Sequence, residues 1–134
     1  MKYRYLGSTG LSVSELCFGA MTFGEKGAFL GAPGRNWSEF GVVPEQTAYD
    51  RVRKARGAGV SFFDPAGRGR PGPGEELLGN ALKGKRQQVI IGTKGRWQTD
   101  PNPNALGASR YHIINAVEGS LQRLKTDYID IYHL

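Results

Sequence analysis

Cysteine occurs once in this sequence, at position 17, and histidine only at 112 and 133. A single thiol builds no intramolecular disulfide, and two histidines without a compact set of cysteines or carboxylates do not make a zinc site, so no metal is expected. Long apolar runs are missing too. Nothing approaches the roughly 20 residues that cross a bilayer, and the opening MKYRYLGSTG lacks the apolar core of a secretory leader. No membrane partner is expected, and a cytoplasmic setting follows by exclusion. Charge is present but not concentrated: 18 Lys and Arg against 12 Asp and Glu give a formal +6, spread along the chain. Arg68, Arg70, Lys83, Lys85 and Arg86 come nearest to a patch, yet no aromatic residues are interleaved for base stacking and no C2H2 spacing accompanies them. A solvated surface is expected there, and no nucleic-acid partner.

What is present is a chain of 134 residues, enough for one domain that buries roughly two-thirds of its unfolded surface. Its 20 glycines are about twice the usual share, which predicts long connections between short elements. Two short runs around Gly7 and Gly10, within Tyr3 to Leu16, predict a β-hairpin. Leu16 to Phe18 predicts a strand ending at Gly19. Its Cys17 lies in the apolar run LCFGA, where a buried, inert thiol is expected. Residues 24–43, with five glycines, Pro33 and the apolar anchors Phe29, Leu30 and Trp37, predict a long loop. Connections of this length are uncommon, so it is a candidate lid, with a plain insertion as the alternative.

Pro44 followed by EQTAYDRVRKARGAG predicts a helix with Ala48, Val52 and Ala55 on one face, stopped by Gly57 and Gly59. VSFFD then predicts a strand. Glu75 and Glu76 suit a helix N-terminus, where negative charge meets the positive end of the dipole, and Leu77, Leu78, Ala81 and Leu82 supply its apolar face. QVIIGTK predicts a strand and PNPNALG a turn-rich connection. Ser109 predicts an N-cap for a helix whose Ile114, Val117, Leu121 and Leu124 recur at helical spacing. YIDIY, from Tyr128 to Tyr132, predicts the last strand. Strands alternating with helices predict parallel strands covered by helices. In AGRGRPGPG, between the strand FFD and the second helix, Gly67, Gly69 and Gly72 are not read as a phosphate-binding G-x-G-x-x-G, because the Rossmann strand-to-helix context is lacking. His112 is expected to be a polar or partly packed helix residue, not a ligand.

The stretches KYRYLGSTGLSVSELCFGAMTFG, GVSFFDPAG, GEELLGNALKG, QVIIGTK and SRYHIINAVEGSLQRLKTDYIDIYHL together resemble the N-terminal part of the aldo-keto reductase family, in the branch that includes bacterial oxidoreductases and potassium-channel β-subunits. The resemblance covers nearly the whole chain. It implies an α/β fold: a partial (β/α)8 TIM barrel containing the first four strands, with the hairpin closing its lower end. Whole barrels need around 250 residues, so a truncated piece or half-barrel is expected.

The resemblance further implies NADP-dependent reduction of aldehydes or ketones by hydride transfer, with a catalytic aspartate, tyrosine, lysine and histidine. Asp64 matches the aspartate and Lys94 the lysine, while Met21, Thr22 and Asp64 match positions near the nicotinamide. Such an ammonium and carboxylate at the C-terminal ends of adjacent strands can steer proton transfer by a tyrosine hydroxyl. The tyrosine position is Gly69 here, and the histidine position falls just beyond Leu134; His133 is not expected to replace it, since strand residues alternate. Contacts to the NADP phosphate and adenine come, in the family, from later strands. The chain alone is therefore expected to be inactive, a pseudoenzyme in effect. The alternative is a noncatalytic half-barrel that self-associates through its open sheet edges. Trp37 and Trp97 line a substrate cavity or serve as local apolar anchors.

Overall fold

Glycine starts the first turn. Gly7 and Gly10 take positive φ of 55° and 78°, the left-handed region that side chains resist, and so return β1 (Tyr3–Tyr5) antiparallel onto β2 (Ser12–Ser14). The structure is a computed structural model describing residues 1–24, 43–65 and 73–134. The glycine-rich segment with Phe29, Leu30 and Trp37, and the stretch with Gly67, Arg68, Gly69, Arg70 and Gly72, lie outside the described residues.

After the hairpin come β3 (Cys17–Gly19), α1 (Glu45–Gly57), β4 (Phe62–Asp64), α2 (Pro73–Ala81), β5 (Ile90–Lys94), α3 (Arg110–Leu124) and β6 (Ile131–His133). The last four strands form one parallel sheet in the order β3-β4-β5-β6. Strand, helix and adjacent parallel strand in strict succession is the winding of a (β/α) barrel, and these are its first four strands. The hairpin belongs to the N-terminal end of the sheet. Ser14 and Ser61 exchange hydrogen bonds, each backbone N–H donating to the other's Oγ at 3.1 and 3.0 Å, and the Tyr3 hydroxyl donates to the Gly59 carbonyl at 2.7 Å.

The helices lie on one face of the sheet, α1 beside α2 and α2 beside α3. Between the layers sit Phe63, Ile91, Ala48, Val52, Leu77, Leu78 and Leu124, all buried, with Phe18 packed on Phe63 and Phe23 at ring centroid distances of 5.7 and 5.9 Å. Phe63 and Ile91 are register partners, so both point to the helices; Phe62 and Ile90, the next pair, point away. The expected faces of α1 and α2 are correct, but α2 begins at Pro73, two residues earlier than expected, since proline fits a first helical turn.

Three expectations need correction. The buried stripe of α3 is His112, Ala116, Ser120 and Leu124; Ile114 is 38% exposed. Polar residues occupy that stripe because they find partners inside, as the His112 ring does on the Trp97 carbonyl at 3.0 Å. Strand β6 starts at Ile131, not Tyr128: the Asp130 N–H still donates to the Ile91 carbonyl at 3.2 Å, but the Ile91 N–H goes to the Asp130 side chain, whose Oδ2 accepts it at 2.8 Å. The same Oδ2 accepts from Arg86 Nη2 at 2.7 Å, so Arg86 is not a solvated surface charge. Its guanidinium, with side-chain exposure of 15%, also donates to the carbonyls of Val89 and Tyr128, both at 3.0 Å, and lies 3.8 Å from the Tyr128 ring centroid.

Helix α2 packs tightly on the end of α3 at Gly79, where an added Cβ would stand 2.4 Å from the Leu124 carbonyl oxygen. Alanine would gain up to about 1 kcal/mol in helix propensity, but the opposing atom is backbone and cannot rotate aside. Gly79→Ala is therefore expected to destabilise the fold by about 1–3 kcal/mol, measured as a lower urea midpoint with unchanged slope.

Candidate active site

Asp64 ends β4 and Lys94 ends β5, and alternation turns both to the sheet face opposite the helices. There they meet. Lys94 Nζ donates to Asp64 Oδ1 at 2.5 Å and to Oδ2 as well, and the two side chains keep 31% and 22% exposure. The pair thus stands at the C-terminal rim, reachable by solvent yet partly desolvated, where a charge-assisted contact is stronger than on an open surface.

The neighbouring strands complete the surroundings. The Ala20 N–H donates to the Asp64 carbonyl at 2.9 Å, so the chain leaving β3 passes the pair, with Met21 41% exposed and Thr22 partly buried. Beyond them, Phe23 and Val43 form a parallel bridge, with the Val43 N–H on the Thr22 carbonyl and the Gly24 N–H on the Val43 carbonyl, both at 2.9 Å. On the other side, His133 is the register partner of Lys94. It shares that face, and its Nε2 would lie 3.3 Å from a Cβ on Gly92, so glycine there leaves the imidazole room to lean over β5. Sequence reasoning set His133 aside as a substitute for the absent histidine; the register brings it beside the pair nonetheless.

Cys17 is exposed, which corrects the buried thiol expected from LCFGA. It is the register partner of Phe62, on the sheet face opposite the described helices. Its thiol is pushed up from 9.0 to about 11, first by the desolvation of a thiolate among its neighbours, then by the Asp64 carboxylate, with Lys94 pulling the other way.

Trp97, 40% exposed, lies on the connection after β5, its carbonyl accepting from Nε2 of the buried His112. The Ser109 hydroxyl caps α3 as expected, accepting from the His112 N–H at 3.1 Å. One buried cluster had no warning in the sequence. Glu75, expected as a charge at a helix start, is 3% exposed, its Oε1 accepting from Thr93 Oγ1 and its Oε2 from Arg123 Nε, each at 2.6 Å. Gly74 beside it shows how close the packing is: a Cβ there would meet the Ala20 carbonyl oxygen at 2.9 Å, so the start of α2 is pressed onto the chain leaving β3.

Among the described residues no group of three His, Cys, Asp or Glu could hold a metal ion, and no helix is long and apolar enough to cross a membrane. Gly69, at the matched tyrosine position, lies outside the described residues.

Parallel strands alternating with helices in one sheet define part of a (β/α) barrel, with the ion pair at the C-terminal ends of its strands. The chain belongs to the aldo/keto reductase family, whose model matches residues 15–134. It is 35% identical to aldo-keto reductase YhdN of Bacillus subtilis over 136 residues, covering 100% of this chain and 38% of that protein. A rice protein named as a probable voltage-gated potassium channel subunit beta is also 35% identical, over 99% of this chain and 37% of its own length. Among solved structures, the holo form of an aldo-keto reductase from Bacillus halodurans superposes with a TM-score of 0.72 at 32% identity, covering 98% of this chain and 39% of the other. The chain thus spans about two-fifths of the length of these relatives.

The raised thiol sets a test. Alkylation of Cys17 by iodoacetamide should keep accelerating up to about pH 11, with Asp64→Asn lowering the inflection and Lys94→Met raising it. Because the folded value lies above the unfolded one, the thiol's contribution to stability is whole below pH 9.0 and lost as pH rises through about 11. An inflection near 9 in the folded chain would refute this environment.

Proposed function

We propose that the chain is the N-terminal part of an NADP-dependent oxidoreductase that reduces aldehydes or ketones, working in the cytoplasm, and that residues 1–134 alone do not turn over substrate. The observation that carries the reading is the Lys94–Asp64 ion pair at the ends of adjacent parallel strands, at the two positions where the family resemblance places catalytic groups. Exposed Met21 and partly buried Thr22, on the chain segment hydrogen-bonded to Asp64, suit the flat nicotinamide end of the cofactor. When bound, NADPH supplies the hydride for the carbonyl carbon.

The chain's own residues divide the remaining work. Asp64 fixes the Lys94 ammonium at the rim, and Lys94 presents positive charge where negative charge grows on the carbonyl oxygen during hydride transfer. Trp97 offers an apolar surface for the substrate on the connection above β5. Gly69 brings no proton donor to the matched tyrosine position. Cofactor phosphates normally take several charge-assisted hydrogen bonds, and the family resemblance assigns those to strands after the fourth. Both deficits argue against turnover by this length of chain.

NADPH binding and aldehyde reduction should be measured on the chain and on Asp64→Asn and Lys94→Met. Weak cofactor binding, reduced further in both variants, with no turnover, is expected. Saturable reduction lost in both variants would overturn the inactive reading, and no NADPH binding at any concentration would favour a noncatalytic role.

A second reading, self-association as an assembly module, draws on a specific feature: β3 and β6 form the two edges of the described parallel sheet. Two copies related by a two-fold axis could pair β6 of each with β3 of the other and so satisfy both edges. Light scattering would then give twice the chain mass; a monomer at concentrations where circular dichroism shows the fold intact would exclude it.

A further inference from the structure

The Lys94–Asp64 pair is built from beneath. Lys94 points to one face of the sheet, and its two chain neighbours are held on the other. Thr93, fully buried, donates its hydroxyl to Glu75 Oε1 at 2.6 Å. Gly95 is buried against Tyr132: a Cβ on Gly95 would stand 2.5 Å from the Tyr132 hydroxyl, and the Gly95 N–H donates to the His133 carbonyl at 2.9 Å. Tyr132 is the register partner of Thr93 and belongs to the same cluster; burial first, then the Glu75 carboxylate, push its phenol up from its ordinary value. Glu75 is held in turn by Arg123 Nε at 2.6 Å, and Arg123 Nη2 reaches Ser120 Oγ at 3.3 Å. A carboxylate at the start of α2 is thus clamped between β5 and the last turn of α3, directly behind the residue that carries the ammonium.

We propose that Glu75 is a positioning residue for the candidate active site: by accepting the Thr93 hydroxyl it fixes the pitch of the last two residues of β5, and so holds the Lys94 ammonium against Asp64. The physical case is one of leverage. A lysine side chain has four rotatable carbons and costs considerable entropy to hold in place, so a short contact to both oxygens of Asp64 requires a backbone that does not rock. The last residues of a short strand lack the restraint that a longer ladder gives. Here a buried hydrogen bond supplies it, in a setting where an unmade bond is expensive. The partly buried Arg123 holds the other carboxylate oxygen and so keeps Glu75 aimed at β5. This inference rests on the assignment of Asp64 and Lys94 to the site, but it concerns their geometry and not turnover.

The test reads Lys94 directly. The chain is treated with a water-soluble acetylating N-hydroxysuccinimide ester, and acylation at each lysine is followed by mass spectrometry. Asp64→Asn, the benchmark for a released ammonium, should raise the Lys94 rate by about threefold to tenfold, the net worth of a typical hydrogen bond in a site that water still reaches. Thr93→Val should raise it by at least about threefold, whereas Thr93→Ser, which keeps the hydroxyl, should match the parent chain. Lys83, Lys85 and Lys125 should react alike in all variants. Glu75→Ala leaves Arg123 without its carboxylate and endangers the fold, so Thr93→Val, which keeps the Glu75–Arg123 ion pair, is the deciding variant. Unchanged Lys94 in Thr93→Val would overturn the proposal. So would equal release in Thr93→Ser, or a rise at all lysines together, which would mark the hydroxyl as serving the fold alone. Failure of NADPH to bind while this protection persists would sink the functional reading and leave the positioning role standing.

Discussion

Successive residues of a strand point to opposite faces, and in this sheet that period of two separates packing from chemistry. Four short parallel strands, each in register with the next, send Phe18, Phe63, Ile91 and Thr93 towards the helices and Cys17, Asp64, Lys94 and His133 away from them. A slip of one residue anywhere would exchange the two sets, burying charges against helices and exposing the core. The register is thus the constraint on which both the fold and the candidate site depend. It is fixed cheaply, by a few large apolar residues on one side.

Buried polar pairs do what strand length does not. Arg86 with Asp130 joins the approach to β5 to the approach to β6, while Glu75 with Arg123 joins α2 to α3. Ion pairs out of water offset their desolvation only when the remaining donors and acceptors are satisfied, and here they nearly are: Asp130 Oδ2 also takes a backbone N–H, and Arg86 also serves two carbonyls and a hydroxyl. Such pairs favour one arrangement over others more than they add stability. In a sheet whose described strands are three to five residues long, that selectivity has work to do at both ends of the barrel piece.

Much of this was readable in advance. The alternation of apolar runs, the glycine turn at Gly7 and Gly10, the Ser109 cap and the ends of β4 and β5 all follow from local chemistry, and local chemistry is what a sequence displays. The family resemblance then singled out Asp64 and Lys94, which charge alone left as two strand-end residues among 30 ionisable Lys, Arg, Asp and Glu. What escaped were partnerships across long separations. Glu75 reads as a helix-start charge until Arg123 arrives from 48 residues away. Asp130 reads as part of an alternating strand until Arg86 claims its side chain from 44 residues away. Cys17 reads as buried because its neighbours are apolar, but which face of β3 lacks a cover is decided by the whole sheet. His112 and Ser120 look too polar for a helix's inner stripe until their acceptors and donors are located.

The parallel bridge between Phe23 and Val43 has a different sort of consequence. It holds two points of the chain, 20 residues apart in sequence, side by side. Joining two points of a flexible chain costs an entropy that grows only with the logarithm of the intervening length, about 0.6 kcal/mol for each doubling. That is less than the net worth of a typical buried hydrogen bond. The described fold is therefore nearly indifferent to how many residues the sequence places between Phe23 and Val43, and that number can change without asking the sheet to refold.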